Sequence, residues 1–405
     1  MNEELVAVLD LGSTKAVCLA ASADEKGEVK VESVATTPCS AMKKGVLVDP
    51  EEAARAIDLV VGRVEKDTGQ TVHSMYVGFG GTQFECMNGQ GLKIVIPKGR
   101  QVTNQDVLEV INHSQSLVLG ADKEQMQVIP REFRVDGERN IQKPIGMPAS
   151  KLEVFTCIVA GNVSAIQTYD RAVKNAGKKI EQLVLSPLAS GIGVLTTEEM
   201  ELGSLVIDIG GGTTSVSIFA NGSLAYSAVI PAGSNYVTSD ISQLLKTSQD
   251  EAERLKTTYG SAYADLIPDT ERVDVRKDGQ TTVRPMQRKV LCEIIESRMR
   301  EIGKLVMHHV EKSGYYASLP GGVVLTGGGA QLANTDKLFQ DQLKHLRVRV
   351  AEPDFGKKLG KQVGMATAAG LARYALQCRE DLSPSSDGPM WRTKVRSLFS
   401  MISGR

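Results

Sequence analysis

A short pattern of strand, aspartate and glycine turn occurs twice in this chain, and it limits the possible folds more than any other feature. In each copy an apolar run ends in an aspartate, glycine and hydroxyl residues follow, and a second strand-like run comes next. The copies are Val8-Leu9-Asp10-Leu11-Gly12-Ser13-Thr14-Lys15 and Val206-Ile207-Asp208-Ile209-Gly210-Gly211-Gly212-Thr213-Thr214. One design is therefore predicted to be used twice.

Each turn has the residues that a phosphate clamp needs. Glycines let the backbone fold tightly so that its N–H groups converge on phosphate oxygens, and the hydroxyls of Ser13, Thr14, Thr213 and Thr214 add donors. Asp10 and Asp208 are predicted to hold the waters of a Mg²⁺ ion that bridges nucleotide phosphates. The alternative is two unrelated hairpins in which glycine only supplies a positive φ.

A third glycine turn favours the nucleotide interpretation. It follows the apolar run at 323–325 and contains Gly327, Gly328 and Gly329, which would let an adenine or ribose approach the backbone closely. The sequence contains no G-x-x-x-x-G-K-[ST] loop, no H-E-x-x-H motif and no G-x-S-x-G elbow. The competing motifs are thus missing, and the three glycine turns remain the basis of the nucleotide interpretation.

Short apolar runs alternate with longer amphipathic segments, which predicts an α/β fold. The clearest strands are expected at 5–9, 17–21, 183–185, 205–209, 215–219 and 323–325, and the clearest helices at 51–65, 105–118, 163–176, 287–310 and 363–376. A polar stretch at 273–285 carries Gly279 at an expected hairpin turn and indicates an inserted subdomain.

Charge and cysteine content exclude several classes of protein. Lys plus Arg is 47 and Asp plus Glu is 48, so no protein-wide positive charge favours a nucleic-acid partner. The six cysteines contain no C-x-x-C pair, which argues against a zinc site or a disulfide framework. The N-terminus lacks the pattern of a signal peptide and no stretch is long and apolar enough to span a bilayer, so a cytosolic protein is expected.

The C-terminal segment differs from the rest of the chain. Residues 378–388 have the polar, Ser- and Pro-rich composition of a flexible linker. Residues 389–405 then contain no acidic residue and place an apolar stripe along one side of a predicted helix. This predicts a membrane-targeting amphipathic helix, with a last helix packed on the core as the alternative. The predicted membrane-contacting residues are Trp391, Arg392, Lys394, Val395, Arg396, Leu398, Phe399 and Ile402.

The three turns resemble the phosphate 1, phosphate 2 and adenosine motifs of the actin, Hsp70 and sugar kinase superfamily. The segments 185–191 and 364–370 are similar to its two connecting helices. Within the superfamily, the chain resembles the FtsA family of bacterial cell-division proteins through LVLSPLASG (183–191), VIDIGGGTT (206–214), SAVIPAG (227–233) and SGYYASLPGGVVLTGGGA (313–330). The resemblance covers nearly the whole chain.

The resemblance implies an actin-like, two-domain ATPase fold with duplicated sheet cores, an inserted subdomain called 1C and a C-terminal amphipathic helix. Subdomain 1A would comprise 1–81 and 163–197, 1C would be 82–162, 2A would comprise 198–233 and 320–377, and 2B would be 234–319. The bound cofactors would be ATP and Mg²⁺. The resemblance also assigns Gly233, Glu253 and Lys256 to nucleotide binding, although an exposed charge cluster would explain the last two equally well.

Related ATPases place a polar or acidic residue beside the first connecting helix to orient the attacking water. The candidates here are Gln182 and Ser186. Some relatives carry a glutamate at the position that resembles Ser186. Its absence predicts at most a weak ATPase activity.

By the same resemblance, the chain would polymerise, tether FtsZ to the cytoplasmic membrane and recruit later divisome proteins. Its expected partners are the FtsZ C-terminal peptide, further copies of itself, an anionic membrane surface and other divisome proteins, without nucleic acid. The expected location is the cytoplasmic face of the bacterial inner membrane at the division site, as a peripheral protein. The acidic FtsZ peptide would contact Arg288, Lys289, Arg298 and Arg300, for which a solvated helix face is the alternative.

Three other functions are compatible with the same turns. A small-molecule kinase would share the phosphate motifs but would have no use for the C-terminal helix. An Hsp70-like chaperone would need a substrate domain that the short remainder after 370 cannot supply. A soluble pilus-assembly adaptor is the nearest alternative, and it would not be expected to carry this tail.

Overall fold

The computed structural model describes residues 5–24, 29–116, 119–276, 279, 283–353, 355 and 364–380. The strands in this part of the chain are β1 (Val6–Leu11), β2 (Lys15–Ala23), β3 (Val29–Pro38), β4 (Met42–Lys43), β5 (Val46–Leu47), β6 (Ser74–Phe79), β7 (Phe84–Ile94), β8 (Lys123–Val135), β9 (Glu138–Ile141), β10 (Lys151–Asn162), β11 (Lys179–Leu185), β12 (Ser204–Ile209), β13 (Thr214–Ala220), β14 (Ser223–Ile230), β15 (Arg272–Arg276), β16 (Val283–Gln287), β17 (Gly322–Thr326) and β18 (Val348–Val350).

Each segment for which a helix was expected overlaps with one of the α-helices in the same residues. They are α1 (Pro50–Thr68), α2 (Asn104–Ser114), α3 (Val163–Asn175), α4 (Ser186–Val194), α5 (Thr197–Leu202), α6 (Ser234–Leu245), α7 (Gln249–Tyr259), α8 (Arg288–Ser313), α9 (Thr335–Gln342) and α10 (Ala366–Glu380). In these described residues, no helix is both long and apolar enough to cross a membrane.

Two five-stranded sheets have the same topology. Their strand orders are β3-β2-β1-β6-β11 and β14-β13-β12-β17-β18. In each sheet, the first three strands are antiparallel and the last two pair in parallel. The repeated sequence pattern therefore marks two copies of one sheet, as predicted.

Helices cover the first sheet on both faces, as expected when parallel strands are buried. Helix α1 packs with α3 on one face and α10 covers the other. Helix α1 begins where Asp49 accepts hydrogen bonds from the N–H groups of Glu51 and Glu52, and it ends at Gly69 with φ 69°. These caps hold its apolar side against the sheet.

A separate sheet, β7-β10-β8-β9, is inserted between the strands of the first sheet and carries α2 on one face. Thr103 and Asp106 form a capping box that starts α2, and Arg100 pairs with Asp106. The sequence pattern predicted a helix up to residue 118, but α2 ends at Ser114 because Gln115 has a non-helical ψ of 0°. Apolar periodicity alone did not show this end.

Helices α4 and α10 cross in backbone contact between the two five-stranded sheets. A Cβ atom on Gly370 would lie 1.6 Å from the Ala189 carbonyl oxygen, and one on Gly193 would lie 2.2 Å from the Ala366 carbonyl oxygen. No side chain fits between the helices at these points. The two segments that resemble the connecting helices thus form one tight joint.

The polar stretch at 273–285 contributes to a small hairpin in which β15 pairs antiparallel with β16. Gly279 between them has φ 70°, as a tight turn requires. Val273 and Val275 pack against the core that α8 shares with the second sheet. The linker (378–388) and the amphipathic helix (389–405) expected at the C-terminus lie outside the described residues, apart from the last three residues of α10.

Candidate functional site

The two repeated turns join β1 to β2 and β12 to β13, and their backbone hydrogen bonds are the same. The Gly12 N–H donates to the Lys15 carbonyl at 2.9 Å, and the Gly210 N–H donates to the Thr213 carbonyl at 2.9 Å. In both turns the chain therefore reverses direction directly after a strand that carries an aspartate. The sequence repeat is a structural repeat down to single hydrogen bonds.

The two turns come from different sheets and lie against each other. A Cβ atom on Gly211 would be 2.5 Å from Thr14 Cγ2, and one on Gly212 would be 2.5 Å from Ser13 Oγ. Glycine is needed here for this close approach. The run of three glycines lets both turns face one cleft.

This cleft has a volume of about 570 Å³, within the range of small-molecule and cofactor sites. It is lined by most of the predicted nucleotide-binding residues, namely Asp10, Gly12, Ser13, Thr14, Lys15, Asp208, Gly210, Gly211, Thr213, Glu253, Lys256, Gly327, Gly328 and Gly329. The structure thus brings together residues that the sequence places in three distant segments.

Three predicted residues lie behind the second turn and do not line the cleft. Gly212 packs on Ser13, as above, and the Thr214 hydroxyl donates to the Ala232 carbonyl at 2.8 Å. Gly233 is the N-cap of α6, and the Ser234 N–H that follows it donates to the Gly210 carbonyl at 2.9 Å. In these positions the three residues support the turn from behind.

Asp10, Asp208 and Lys15 form the charged part of the cleft. The pKa of each aspartate is raised to about 6, mainly because both carboxyl groups are buried. The charge of Asp208 contributes to the rise at Asp10, and Lys15 opposes the rise at both. Burial also lowers the pKa of Lys15, while the two carboxylates raise it. One ammonium group therefore leaves the two buried carboxylates under-compensated at neutral pH.

A magnesium ion fits this charge pattern. No cluster of three or more His, Cys, Asp or Glu side chains suited to a metal occurs among the described residues. Two carboxylates without further protein ligands suit Mg²⁺, which keeps several of its waters and is completed by phosphate oxygens. Asp10 and Asp208 would hold it through those waters.

The third turn and α7 form the other end of the cleft. A Cβ atom on Gly328 would meet nothing within 4 Å, so its backbone is open to a ligand. Lys256 is buried, donates to the Thr238 hydroxyl at 2.8 Å and lies 2.7 Å from the Glu253 carboxylate. An exposed charge cluster therefore does not describe Lys256, which is fixed in the wall of the cleft.

The structure separates the two candidates for orienting water. Ser186 lines the cleft at the start of α4. Gln182 does not line it, because its amide donates to the Tyr374 hydroxyl at 3.1 Å, which also accepts from Gln127 at 3.0 Å. The position of Gln182 fits a link between β11, α10 and the inserted sheet, and it does not fit a contact with the attacking water.

Sequence reasoning missed two features of the cleft. Gly81 has φ 90°, and a Cβ atom there would lie 1.8 Å from the Gly45 carbonyl oxygen, so these glycines close one side. The pair Gly80-Gly81 directly after the apolar strand β6 was the signal available. Arg288, predicted to contact a partner protein, also lines the cleft, and its Nε donates to the Tyr259 carbonyl at 2.7 Å.

The predicted partner-binding cations on α8 are not free charges. Each has at least one acidic partner within the same region of the structure. The pairs are Arg288 with Glu271 at 2.6 Å, Lys289 with Asp269 at 3.1 Å, Arg298 with Asp240 and with Glu301 at 2.6 Å each, and Arg300 with Glu296 at 2.7 Å and Asp341 at 2.9 Å. An acidic partner peptide would have to compete with these carboxylates.

Comparison with solved structures supports the fold. The chain is similar to the PilM-PilN type IV pilus biogenesis complex with a TM-score of 0.63 and 16% identity, over 92% of this chain and 98% of that chain. It is also similar to MreB5 of Spiroplasma citri bound to ADP, with a TM-score of 0.58 and 14% identity, over 94% of this chain and 99% of that chain. These likenesses confirm the predicted actin-like α/β fold.

Sequence comparison is more specific. A family model described as "Cell division protein FtsA" matches residues 205–370, and one described as "SHS2 domain inserted in FTSA" matches residues 81–160, where the inserted sheet lies. The cell division protein FtsA of Pseudomonas aeruginosa is 32% identical over 381 residues, which are 93% of this chain and 91% of that protein. The chain therefore belongs to the FtsA family of cell-division proteins.

Proposed function

We propose that this chain binds Mg-ATP in the cleft between its two sheets, polymerises, and tethers FtsZ to the cytoplasmic membrane, where it recruits later divisome proteins. The observation that carries the nucleotide part is the direct contact of the two glycine turns, with Asp10 and Asp208 buried beside them. That the related fold of Spiroplasma citri MreB5 is described as bound to ADP supports the same assignment.

In this proposal each part of the cleft has a separate task. Backbone N–H groups and hydroxyls of Ser13, Thr14 and Thr213 would hold phosphate oxygens, and Lys15 would neutralise part of their charge. A bound Mg²⁺ would supply charge neutralisation between the phosphates. The backbone of Gly328 would lie against the adenosine, whose ribose would meet the fixed pair Glu253 and Lys256.

We propose at most a weak ATPase activity. Ser186 is the water-orienting candidate that lines the cleft, and a neutral hydroxyl is a poor proton acceptor at physiological pH. Gln182 is committed to Tyr374. Binding of ATP would then control assembly mainly through closure of the two sheets around it.

The FtsZ peptide would bind beside α8 by exchanging the carboxylate partners described above. Arg298 is the first candidate, because Asp240 already holds it through two hydrogen bonds of 2.6 and 3.0 Å, the paired geometry that a peptide carboxylate would take over. Lys289 and Arg300 would join it. Arg288 is better assigned to the cleft wall, because it lines the nucleotide cavity.

The membrane part of the proposal depends on the amphipathic pattern of residues 389–405. Each Lys or Arg near an anionic membrane surface adds about 1 kcal/mol of binding free energy. The apolar stripe adds the free energy of transferring its side chains from water into the membrane interface. Several tails on one polymer would bind far more tightly than one tail through effective concentration. Assembly and membrane attachment would therefore reinforce each other.

The test is co-sedimentation of the full chain with anionic phospholipid vesicles, with and without Mg-ATP. Two matched variants place the same charge on opposite sides of the predicted helix: Leu398→Glu on the apolar stripe and Ser400→Glu on the polar side. We expect Leu398→Glu to abolish pelleting and Ser400→Glu to weaken it only about fivefold, as expected for one charge. Equal effects of the two variants, or no pelleting of the unaltered chain at low salt, would refute the tether.

A further inference from the structure

A second cavity, of about 450 Å³, lies where the inserted sheet, α4, the second sheet and the end of α10 meet. None of the predicted nucleotide-binding residues lines it. We call it the hinge groove. Its apolar wall is formed by Leu188, Ile192, Leu195, Met200, Phe219 and Leu224.

The hinge groove is an apolar surface open to the outside. Ile192 and Met200 on its wall are only half-buried. The other wall residues, Leu188, Leu195, Phe219 and Leu224, are buried in one continuous core. Its volume is within the range of ligand-binding cavities, and an open apolar surface typically marks a site that another group covers. The question is which group covers it.

The chain itself leads to the groove and continues beyond it. Tyr374, Gln377 and Cys378 in the last turns of α10 line the groove, and residues 381–405 follow this helix. The next segment contains Pro384, Gly388 and several serines, which favour turns. The 11 residues from 381 to 391 span up to about 37 Å when extended, so residue 391 can return to the groove.

We propose that the C-terminal tail, residues 389–405, docks in the hinge groove when no membrane is present, with the Trp391 side chain in the apolar cavity. Lys143, Arg373 and Glu201 also line the groove, so the basic tail would meet charges of both signs there. Burial of apolar surface would therefore contribute most of the free energy of docking. Tryptophan is suited to this role because it buries a large rigid surface. The same apolar stripe would then face either the groove or the lipid.

This inference rests on the proposed membrane tether and adds its regulation. Docking hides the stripe, so membrane affinity is reduced by the fraction of tails that are free. Helices α4 and α10 both begin in the nucleotide cleft, with Ser186 and Thr367, and both line the groove further along. The two sites therefore share the same two helices.

Trp391 is the only tryptophan in the chain, so its fluorescence reports the tail alone. The test compares acrylamide quenching of the full chain with that of Met200→Lys, which puts a charge of the same sign as the tail on the groove wall. Leu202→Lys is the matched control: it changes the same short helix, α5, at a residue that is 60% exposed and does not line the groove.

We expect Trp391 to be shielded in the unaltered chain and in Leu202→Lys, and to become at least threefold more quenchable in Met200→Lys. If nine tenths of the tails are docked, Met200→Lys should also raise affinity for anionic vesicles about tenfold. A second measurement avoids dependence on that variant: a labelled peptide of residues 389–405 should bind the chain that ends at Leu382 and be displaced by unlabelled peptide.

The proposal would be overturned if acrylamide quenched Trp391 of the unaltered chain as strongly as free tryptophan. It would also be overturned if the labelled peptide did not bind. Shielding that grows with protein concentration would overturn it in favour of docking on a second copy. If Met200→Lys relieved the shielding of Trp391 but the chain never bound vesicles, docking would be supported and the tether would be refuted. Failure of the docking proposal and failure of the tether are therefore distinguishable.

Discussion

Replacing Gly370 with alanine is expected to destabilise the folded chain by about 2 kcal/mol. Its Cβ atom would lie 1.6 Å from the Ala189 carbonyl oxygen and 2.9 Å from the Gly193 backbone nitrogen. A carbon and a carbonyl oxygen normally approach to no less than about 3.3 Å, so α4 and α10 must separate by about 1.7 Å. Such overpacking costs up to about 3 kcal/mol, and the better helix propensity of alanine returns about 1 kcal/mol.

The matched control is Gly62→Ala in α1. Gly62 is also inside a helix, but a Cβ atom there meets nothing within 4 Å. Alanine should therefore stabilise the chain at this position by about 1 kcal/mol, since only the helix propensity changes. The two substitutions are chemically identical and are predicted to have opposite signs.

Urea unfolding followed by circular dichroism measures both effects as shifts of the midpoint. A calorimetric titration with Mg-ATP adds a functional readout. Both crossing helices start in the cleft, with Ser186 and Thr367, so Gly370→Ala should weaken nucleotide binding while Gly62→Ala leaves it unchanged. A Gly370→Ala chain as stable as Gly62→Ala would show that the helices do not cross in backbone contact.

Three further predictions concern the charges and turns. Burial raises the pKa of Asp208 to about 6, so the folded chain without Mg²⁺ keeps a proton that the unfolded chain loses near pH 4. The free energy of unfolding of the unaltered chain should therefore fall by about 1–3 kcal/mol between about pH 4 and pH 7, relative to that of Asp208→Asn. Urea unfolding measures this difference. Gly211→Ala should weaken Mg-ATP binding about tenfold in calorimetry, and adding Thr14→Ser should restore part of it because the clashing methyl is removed. Binding of the FtsZ C-terminal peptide can be followed by fluorescence anisotropy. Arg298→Ala should weaken this binding, whereas Asp240→Asn should strengthen it, because it releases the Arg298 guanidinium from Asp240. A change of peptide affinity in the same direction for both variants would contradict the exchange of partners.

The glycine turns were predictable from the sequence because the signal is local. An apolar run, an aspartate and a turn of small residues lie within about ten residues, and both copies read the same way. The duplication of the sheet core was expected with them, since a repeated local unit builds a repeated sheet. Apolar periodicity predicted five of the ten α-helices in the described residues, namely α1, α2, α3, α8 and α10. The error at the end of α2 arose because its last turn carries no glycine or proline.

Contacts between distant segments were not predictable in this way. The approach of Gly81 to Gly45 and of Gly370 to Ala189 depends on how whole elements pack, and each glycine alone resembles any loop or helix glycine. Gln182 was assigned to the cleft, but the register of β11 against β6 shifts just before it, which changes where its side chain points. A single sequence does not reveal such a bulge.

The most direct test of the central claim is a calorimetric titration of the full chain with ATP at neutral pH, with Mg²⁺ and with the metal chelated. Two facing turns beside buried Asp10 and Asp208 predict one nucleotide per chain, bound at least tenfold more tightly with Mg²⁺, because phosphates without the cation would face two buried carboxylates. No binding, or the same affinity without the metal, would contradict the assignment of this cleft to Mg-ATP.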